Sequence, residues 1–162
     1  MYAKMESTSS SMDQEFLWDN LDWKLGQLFM MGFDGQGTEV PPQIRKLIED
    51  YHLGTILLTA KNLRDAEQTA RLTLNLQTIA RNAGHPVPLA IALDQENGGV
   101  NSLFDSEYVQ QFPSAMGVAA TGSTDMAFDI AKATAEELAV SSRSHSSNCP
   151  LFGWAHCNGM VR

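Results

Sequence analysis

The stretch from residue 88 to residue 100, Pro-Leu-Ala-Ile-Ala-Leu-Asp-Gln-Glu-Asn-Gly-Gly-Val, constrains the fold more than any other part of this chain. Its apolar run, residues 89–93, is too short for a helix, follows a proline and ends at acidic residues. Such a run is typical of a strand that is buried on both faces and belongs to a parallel sheet. We therefore predict an α/β fold with this strand in its interior.

Two carboxylates and a glycine pair come at the end of this strand. Asp94 and Glu96 are followed by Gly98 and Gly99, which allow the backbone to turn sharply. In parallel α/β folds, ligands bind at this end of the strands. A carboxylate held there can accept hydrogen bonds from a polyhydroxylated ligand or act as an acid or base. The pattern alone is equally compatible with two carboxylates that only solvate the strand end.

Strand–helix units follow one another three times along the chain. We predict strands at 27–33, 55–59 and 89–93, and helices at 41–51, 64–83 and 124–140. A further helix is predicted from Asp13, its N-cap, to Leu25, and its Trp18 and Trp23 are expected to pack. Asn62 is a candidate cap for the helix at 64–83. His85, at the start of the third strand, is expected to be a loop residue and not a base. Short connections and right-handed crossovers would place the strands in one parallel sheet. The segment from 101 to about 121 is predicted to be a loop, and loops of this length are usually functional or disordered.

The two ends of the chain have a different character. Residues 1–12 are serine-rich and lack the apolar segment of a secretory signal, so we predict a disordered leader. Residues 141–162 show neither a helical nor a strand period, and we predict an irregular, divergent tail. The spacing of its possible ligands matches no paired zinc pattern, so we predict no metal site from them: His145, Cys149, His156 and Cys157.

Composition excludes several classes of partner. The chain has 162 residues and a net charge of -8, with no basic run, which disfavours binding to nucleic acid or to an anionic membrane. No apolar run approaches the ~18 residues that a membrane span needs. Two cysteines, both near the end of the chain, provide no disulfide framework. We predict a cytoplasmic protein without a cofactor.

A resemblance to a known family rests on the acidic turn and on a block further along. Asp94-Gln95-Glu96, the glycine pair, Val100, Leu103 and Phe-Pro-Ser-Ala-Met at 112–116 resemble the N-terminal domain of family 3 glycoside hydrolases. The β-N-acetylhexosaminidase-like branch is the most similar, with the pattern Asp-Gln-Glu-Gly-Gly-Arg-Val. Here Asn97 stands where the first glycine is usual and Gly99 where arginine is usual. The resemblance covers about residues 24–139.

The resemblance implies a partial (β/α)8 barrel over residues 13–140, made of its first three strand–helix units and an N-terminal helix. It also implies a retaining mechanism with a covalent glycosyl-enzyme intermediate. In this branch the nucleophile and the acid/base belong to later parts of the barrel, so no catalytic residue is assigned here. Asp94 binds sugar hydroxyls in the family, and we expect Asp94 and Glu96 to bind substrate, supported by the turn at Gly98 and Gly99.

Three hypotheses on function follow. The first is family 3-like hydrolysis of a β-N-acetylhexosaminide or β-glucoside, with this chain inactive alone. The second is a non-catalytic carbohydrate-binding or interaction fragment. The third is an unrelated α/β enzyme with a doubly wound sheet, which needs a phosphate-binding turn that the glycines after the first strand do not supply. A carbohydrate is the expected ligand, and open sheet edges predict self-association or chaperone binding.

Overall fold

The computed structural model describes residues 20–103, 110–141 and 151–154. Helices and strands alternate along the chain, which confirms the predicted α/β class. The elements are α1 (Leu21–Gln27), β1 (Met30–Gly32), α2 (Pro42–Tyr51), β2 (Thr55–Leu58), α3 (Ala66–Asn82), β3 (Ala90–Asp94), α4 (Ala115–Ala120), α5 (Thr124–Ser141) and β4 (Leu151–Trp154).

The strands form one parallel sheet in the order β1-β2-β3-β4. Met30 pairs with Thr55, Thr55 pairs with Ala90, and Ile91 pairs with Leu151. A doubly wound sheet reverses its strand order at a switch point, where its ligands bind. Within the described strands the order never reverses, so the doubly wound sheet that the third hypothesis requires is not observed. Sequential parallel strands are instead the arrangement found in (β/α)8 barrels.

The fourth strand corrects the prediction of three strands and an irregular tail at 141–162. Residues Leu151–Trp154 pair with β3, whose second edge would otherwise leave its backbone N–H and C=O groups unpaired. Their sequence, Leu-Phe-Gly-Trp, is mostly apolar and aromatic, as is usual in strands. Four residues are too few to show a period, so the pattern could not reveal this strand.

The core lies between the sheet and its helices. Its fully buried side chains come from two strands, β2 and β3, and from two helices, α2 and α3. They are Ile56, Leu58, Ile91 and Leu93 of the strands and Ile48, Leu72 and Leu76 of the helices. The apolar positions of α2 differ in burial, because Ile44 and Ile48 are buried whereas Tyr51, the last residue of the helix, is 59% exposed. The sequence had predicted a buried stripe of Ile44, Leu47, Ile48 and Tyr51, which is therefore only partly correct.

The caps and boundaries differ from the prediction at three places. Asp65, not Asn62, caps α3, with its side chain accepting a hydrogen bond from Gln68 N at 2.8 Å. Asn20 caps α1, accepting from Trp23 N at 3.0 Å, while Asp13 lies outside the described residues. Gln27, which was predicted to start a strand, ends α1. Asparagine and aspartate are equally good caps, so local sequence could not decide between them.

Helix α1 packs closely against the connection between α2 and β2. Trp23 is buried, with its ring centroid 4.9 Å from that of His85 and 5.6 Å from that of His52, which confirms its predicted packing role. A Cβ atom on Gly26 would overlap the carbonyl oxygens of Tyr51 and His52, so only glycine allows this approach. Trp18, also predicted to pack, lies outside the described residues.

The predicted loop at 101–121 contains one short helix. Ser114 caps α4, its hydroxyl accepting a hydrogen bond from Gly117 N at 3.3 Å. Residues 104–109 of this segment lie outside the described part of the chain. The Pro113-Ser114 pair is a usual beginning of a helix, but six helical residues are too few to show an apolar stripe.

Candidate functional site

Thr59, Asp94 and Asp34 lie at or just after the carboxyl ends of three neighbouring strands of the sheet. Gly32 pairs with Leu57 and Leu58 pairs with Leu93, so Thr59 and Asp94 continue the same register. Asp34 lies in the loop after β1, two residues beyond the last paired residue of that strand. Trp154 of β4 pairs directly with Asp94. All four described strands therefore end at this edge of the sheet, with Asp94 on the third of them.

Asp94 is the last residue of β3 and is half-buried. Its backbone carbonyl accepts a hydrogen bond from Ser102 N at 2.9 Å, which brings the following loop back to the strand end. Within the described part of the chain, no group donates a hydrogen bond to the Asp94 carboxylate. Both carboxylate oxygens can therefore accept hydrogen bonds from a ligand.

The acidic turn is closed by its own backbone. Glu96 N donates to the carbonyl oxygen of Val100 at 2.9 Å, and Gln95 forms an antiparallel bridge with Asn101. Gly98 N donates to Asn101 Oδ1 at 3.2 Å. Glu96 is exposed, in contrast to the half-buried Asp94. The two predicted substrate-binding residues thus lie in one turn but in different surroundings, with Asp94 nearer to the sheet.

The side chain of Gln95 fixes this turn by hydrogen bonds, a role that was not predicted from the sequence. Its side chain is buried, its Nε2 donates to Leu103 O at 3.1 Å and its Oε1 accepts from Leu103 N at 3.0 Å. The amide thus replaces the two hydrogen bonds that a neighbouring strand would make. The alternation of side chains along a strand, which turns Gln95 away from its acidic neighbours, is the signal that could have revealed it.

The residues that depart from the family pattern are readily accommodated. Asn97 has φ of +52°, a left-handed conformation that asparagine adopts more easily than most residues, and its Nδ2 donates to Thr134 Oγ1 of α5 at 3.1 Å. A Cβ atom on Gly98 would lie 3.0 Å from that of Ser114, so glycine lets the turn approach α4. Gly99 has open space around it.

A cavity of about 510 Å³ lies at the same edge, between the loops that follow β1 and β2. Its lining is Gly32, Phe33, Asp34, Thr59, Ala60 and Lys61. Lys61 Nζ and Asp34 Oδ1 are 3.2 Å apart across its mouth.

The side chain of Asn62 forms hydrogen bonds with the backbone of both loops. Its fully buried amide donates through Nδ2 to Phe33 O at 2.7 Å and to Gly35 O at 3.3 Å, and its Oδ1 accepts from Thr59 N at 2.9 Å. Gln68 Nε2 adds hydrogen bonds to Asn62 O and Gly37 O. Neither role was predicted from the sequence, in which Asn62 was only a candidate helix cap.

The histidines of the described chain lie at the opposite edge of the sheet. His85 Nε2 and the carbonyl oxygen of Ile48 are 2.9 Å apart. Burial lowers the pKa of His85, and the neighbouring His52 lowers it further, although the hydrogen bond to Ile48 opposes both effects. Its position before β3 confirms that it is a connecting residue and not a base at the site.

The described residues contain no group of three His, Cys, Asp or Glu side chains that could hold a metal ion. His145, Cys149, His156 and Cys157, considered above, lie outside them. Among the described helices, none is both long and apolar enough to cross a bilayer.

Comparison with known proteins identifies the family. The model of the glycosyl hydrolase family 3 N terminal domain matches residues 20–142, which include the acidic turn and all of α4 and α5. The chain belongs to glycoside hydrolase family 3. The predicted resemblance is thereby confirmed.

Individual relatives agree with this family. Beta-hexosaminidase A of Pseudoalteromonas piscicida is 36% identical over 84 residues, which are 52% of this chain and 14% of that protein. The solved structure of a fungal multi-domain GH3 beta-N-acetylglucosaminidase is 45% identical with a TM-score of 0.68, over 74% of this chain and 14% of that chain.

A second structure, the GH3 beta-N-acetylglucosaminidase of Paenibacillus sp. strain FPU-7, is 37% identical with a TM-score of 0.66. It is matched over 74% of this chain and 22% of its own length. The chain thus spans less than a quarter of the length of each of these relatives.

Proposed function

We propose that this chain forms the sugar-binding part of a β-N-acetylglucosaminide-hydrolysing site, in which Asp94 binds hydroxyl groups of the sugar. The observation that carries the proposal is the Asp94 carboxylate, half-buried at the end of β3 and without a donor in the described chain. The family and the named activities of the relatives support this choice of substrate class.

The chemistry of the site follows from the groups present. An ionised carboxylate only accepts hydrogen bonds, so it selects a ligand with several hydroxyl donors. The amide of Gln95 and the closed turn hold Asp94 in place, which reduces the entropy lost on binding. Glu96, exposed in the same turn, contributes less because water competes for its oxygens.

Hydrolysis itself needs groups beyond this turn. A retaining glycosidase places two catalytic groups about 5 Å apart across the scissile bond. We expect β1–β4 to be consecutive strands of a (β/α)8 barrel whose later loops supply both groups. A polypeptide of these 162 residues should therefore bind the sugar without turning it over.

The test is calorimetric titration of the chain with N-acetylglucosamine and with glucose, for the wild type, Asp94→Asn and Glu96→Gln. Each hydrogen bond to a charged group is worth about 1.5–3 kcal/mol. Asp94→Asn should therefore weaken binding roughly ten- to a hundredfold, with an unchanged melting temperature because no protein donor loses its partner. Glu96→Gln should weaken it less. Unchanged affinity in Asp94→Asn would refute the assignment.

Turnover is measured separately with p-nitrophenyl N-acetyl-β-glucosaminide. We expect no release of p-nitrophenol above the uncatalysed rate from the purified chain. Release that scales with protein concentration and disappears in Asp94→Asn would show that the chain is catalytic by itself.

A further inference from the structure

We propose that the loops after β1 and β2 form a second sugar subsite, in which Lys61 and Asp34 bind the second ring of a β-linked disaccharide whose first ring lies at Asp94. The inference rests on the proposed function, because it takes Asp94 as the centre of the first subsite. It assigns a ligand to the cavity between Phe33 and Lys61, which the acidic turn does not use.

Register gives the distance between the two subsites. Neighbouring strands of a sheet lie about 4.8 Å apart. Strand β2 separates β1 from β3, so the loop after β1, which carries Asp34, lies two strands away from the end of β3, at roughly 10 Å. One sugar ring cannot place hydroxyl groups on both carboxylates. The second ring of an extended disaccharide can.

The side chains at the cavity provide both kinds of hydrogen-bonding group. Lys61 Nζ is a donor only, and the Asp34 carboxylate is an acceptor only, so the pair can bind neighbouring hydroxyls or an acetamido group. Their side chains are 70% and 78% exposed, and an ion pair of that kind contributes little stability. Replacing this ion pair with hydrogen bonds to sugar hydroxyls therefore costs little stability. Phe33, partly buried, adds an apolar ring to the lining.

The buried amide of Asn62 distinguishes this ion pair from the others on the surface. The pairs Lys46–Asp50 and Arg71–Glu67 each join two residues of one helix, four positions apart. Lys61 and Asp34 are 27 positions apart, on two loops that Asn62 fixes to each other through Phe33 O, Gly35 O and Thr59 N. A fixed pair of loops at the ligand-binding edge is the arrangement that a preorganised subsite requires.

The experiment titrates the full 162-residue chain with N-acetylglucosamine and with its β-linked disaccharide, N,N′-diacetylchitobiose. The wild type should bind the disaccharide roughly tenfold more tightly, the gain from one hydrogen bond to a charged group. Lys61→Met and Asp34→Asn should each reduce this preference and leave the affinity for the monosaccharide unchanged. Lys46→Met, which removes a comparable exposed ion pair on α2, should leave both affinities unchanged.

Each other outcome has a distinct meaning. Equal wild-type affinities for both sugars, or a preference kept in Lys61→Met and Asp34→Asn, overturn the second subsite and leave the proposed function intact. A wild type that binds neither sugar overturns the proposed function and this inference with it. If Lys61→Met lowers both affinities together with the melting temperature, the ion pair is structural and the inference is wrong.

Discussion

Asn62 shows how much one buried side chain contributes to the ligand-binding edge. Its amide satisfies the backbone of two loops that belong to different strand–helix units, and no other side chain reaches Phe33 O and Thr59 N together among the described residues. Loops at the carboxyl ends of parallel strands carry ligand-binding groups, so their relative placement is a functional property. Asn62 therefore acts on the site by positioning it.

Replacing Asn62 with alanine should destabilise the chain. The substitution leaves Thr59 N and Phe33 O without their partners, at a cost of about 1–3 kcal/mol. Thermal unfolding followed by circular dichroism should show a melting temperature lower by several degrees. Asn75→Ala is the matched control, because Asn75 makes one exposed hydrogen bond, to Thr38 O. An equal effect of both substitutions would contradict the role of Asn62.

Sequence reasoning at this scale identified the candidate site residues at the end of the strand and missed those that support them. Asp94, Glu96 and the glycine pair stand out because a strand ends there in charged and flexible residues. Gln95 and Asn62 look like ordinary surface residues, since their partners Leu103 and Phe33 are 8 and 29 positions away. Only the folded backbone shows that they are buried.

Helix α1 is the element most dependent on a single contact surface. It has seven residues, too few to be stable alone, and it is held by the Trp23 ring, by Gly26 against the α2–β2 connection, and by Gln27 Nε2 donating to His52 O at 2.8 Å. The Trp23 ring contacts both His52 and His85. The attachment of α1 is thus linked to the ionisation of a half-buried histidine, His85.

Acidification should loosen this attachment. Burial lowers the pKa of His85 in the folded chain below its ordinary value of about 6.5, so below that pH the unfolded chain binds more protons. Stability should therefore fall as the pH decreases from about 6.5 towards the folded-state pKa. The groups that face His85 are His52, the Trp23 ring and the Ile48 carbonyl.

Urea unfolding at pH 7 and pH 5.5 measures this effect, and His85→Gln is the control because its amide can still donate to Ile48 O without titrating. The wild type should lose more stability between the two pH values than His85→Gln. Equal losses would assign the pH dependence to other groups.

Element prediction succeeded where several signals agreed. Helices α2 and α3 have a proline or aspartate at the start and an apolar stripe, and their bounds were predicted within a few residues. Short elements failed: α4 and β4 have six and four residues, in which no period can appear. Pairing with β3, a tertiary interaction, determines β4.

At the scale of the whole molecule, the sheet has an uncovered apolar edge at β1. Phe29, Met30 and Met31 are 59%, 53% and 41% exposed. Phe29 and Met31 line a groove of about 520 Å³ together with Leu25, Leu47 and Tyr51. Because β1 pairs only with β2 among the described strands, its other edge can pair with another chain. Self-association through β1 is the expected result.

Met30→Lys should reduce that association, because a charge on an edge strand opposes pairing. Sedimentation velocity over a range of concentrations should show larger species for the wild type than for the variant. Leu74→Lys is the control, since Leu74 is 43% exposed on α3, away from the edge. A wild type that remains monomeric at high concentration would contradict the prediction. The single parallel sheet that leaves this edge was predicted from the repeated strand–helix units, whereas its strand order comes from the structure.

The turn at Asn97 and Gly98 is also a site at which a purified sample can deamidate during storage. An asparagine followed by glycine deamidates when the glycine nitrogen attacks the side-chain carbonyl. In the folded chain Gly98 N donates to Asn101, and the Asn97 amide is held by Thr134 and Gln95, so the attack is restrained. Once the turn opens, deamidation adds a carboxylate directly after Glu96 and removes the donor to Thr134. Stored material would then lose the sugar binding that is proposed for this turn, without any cut in its chain.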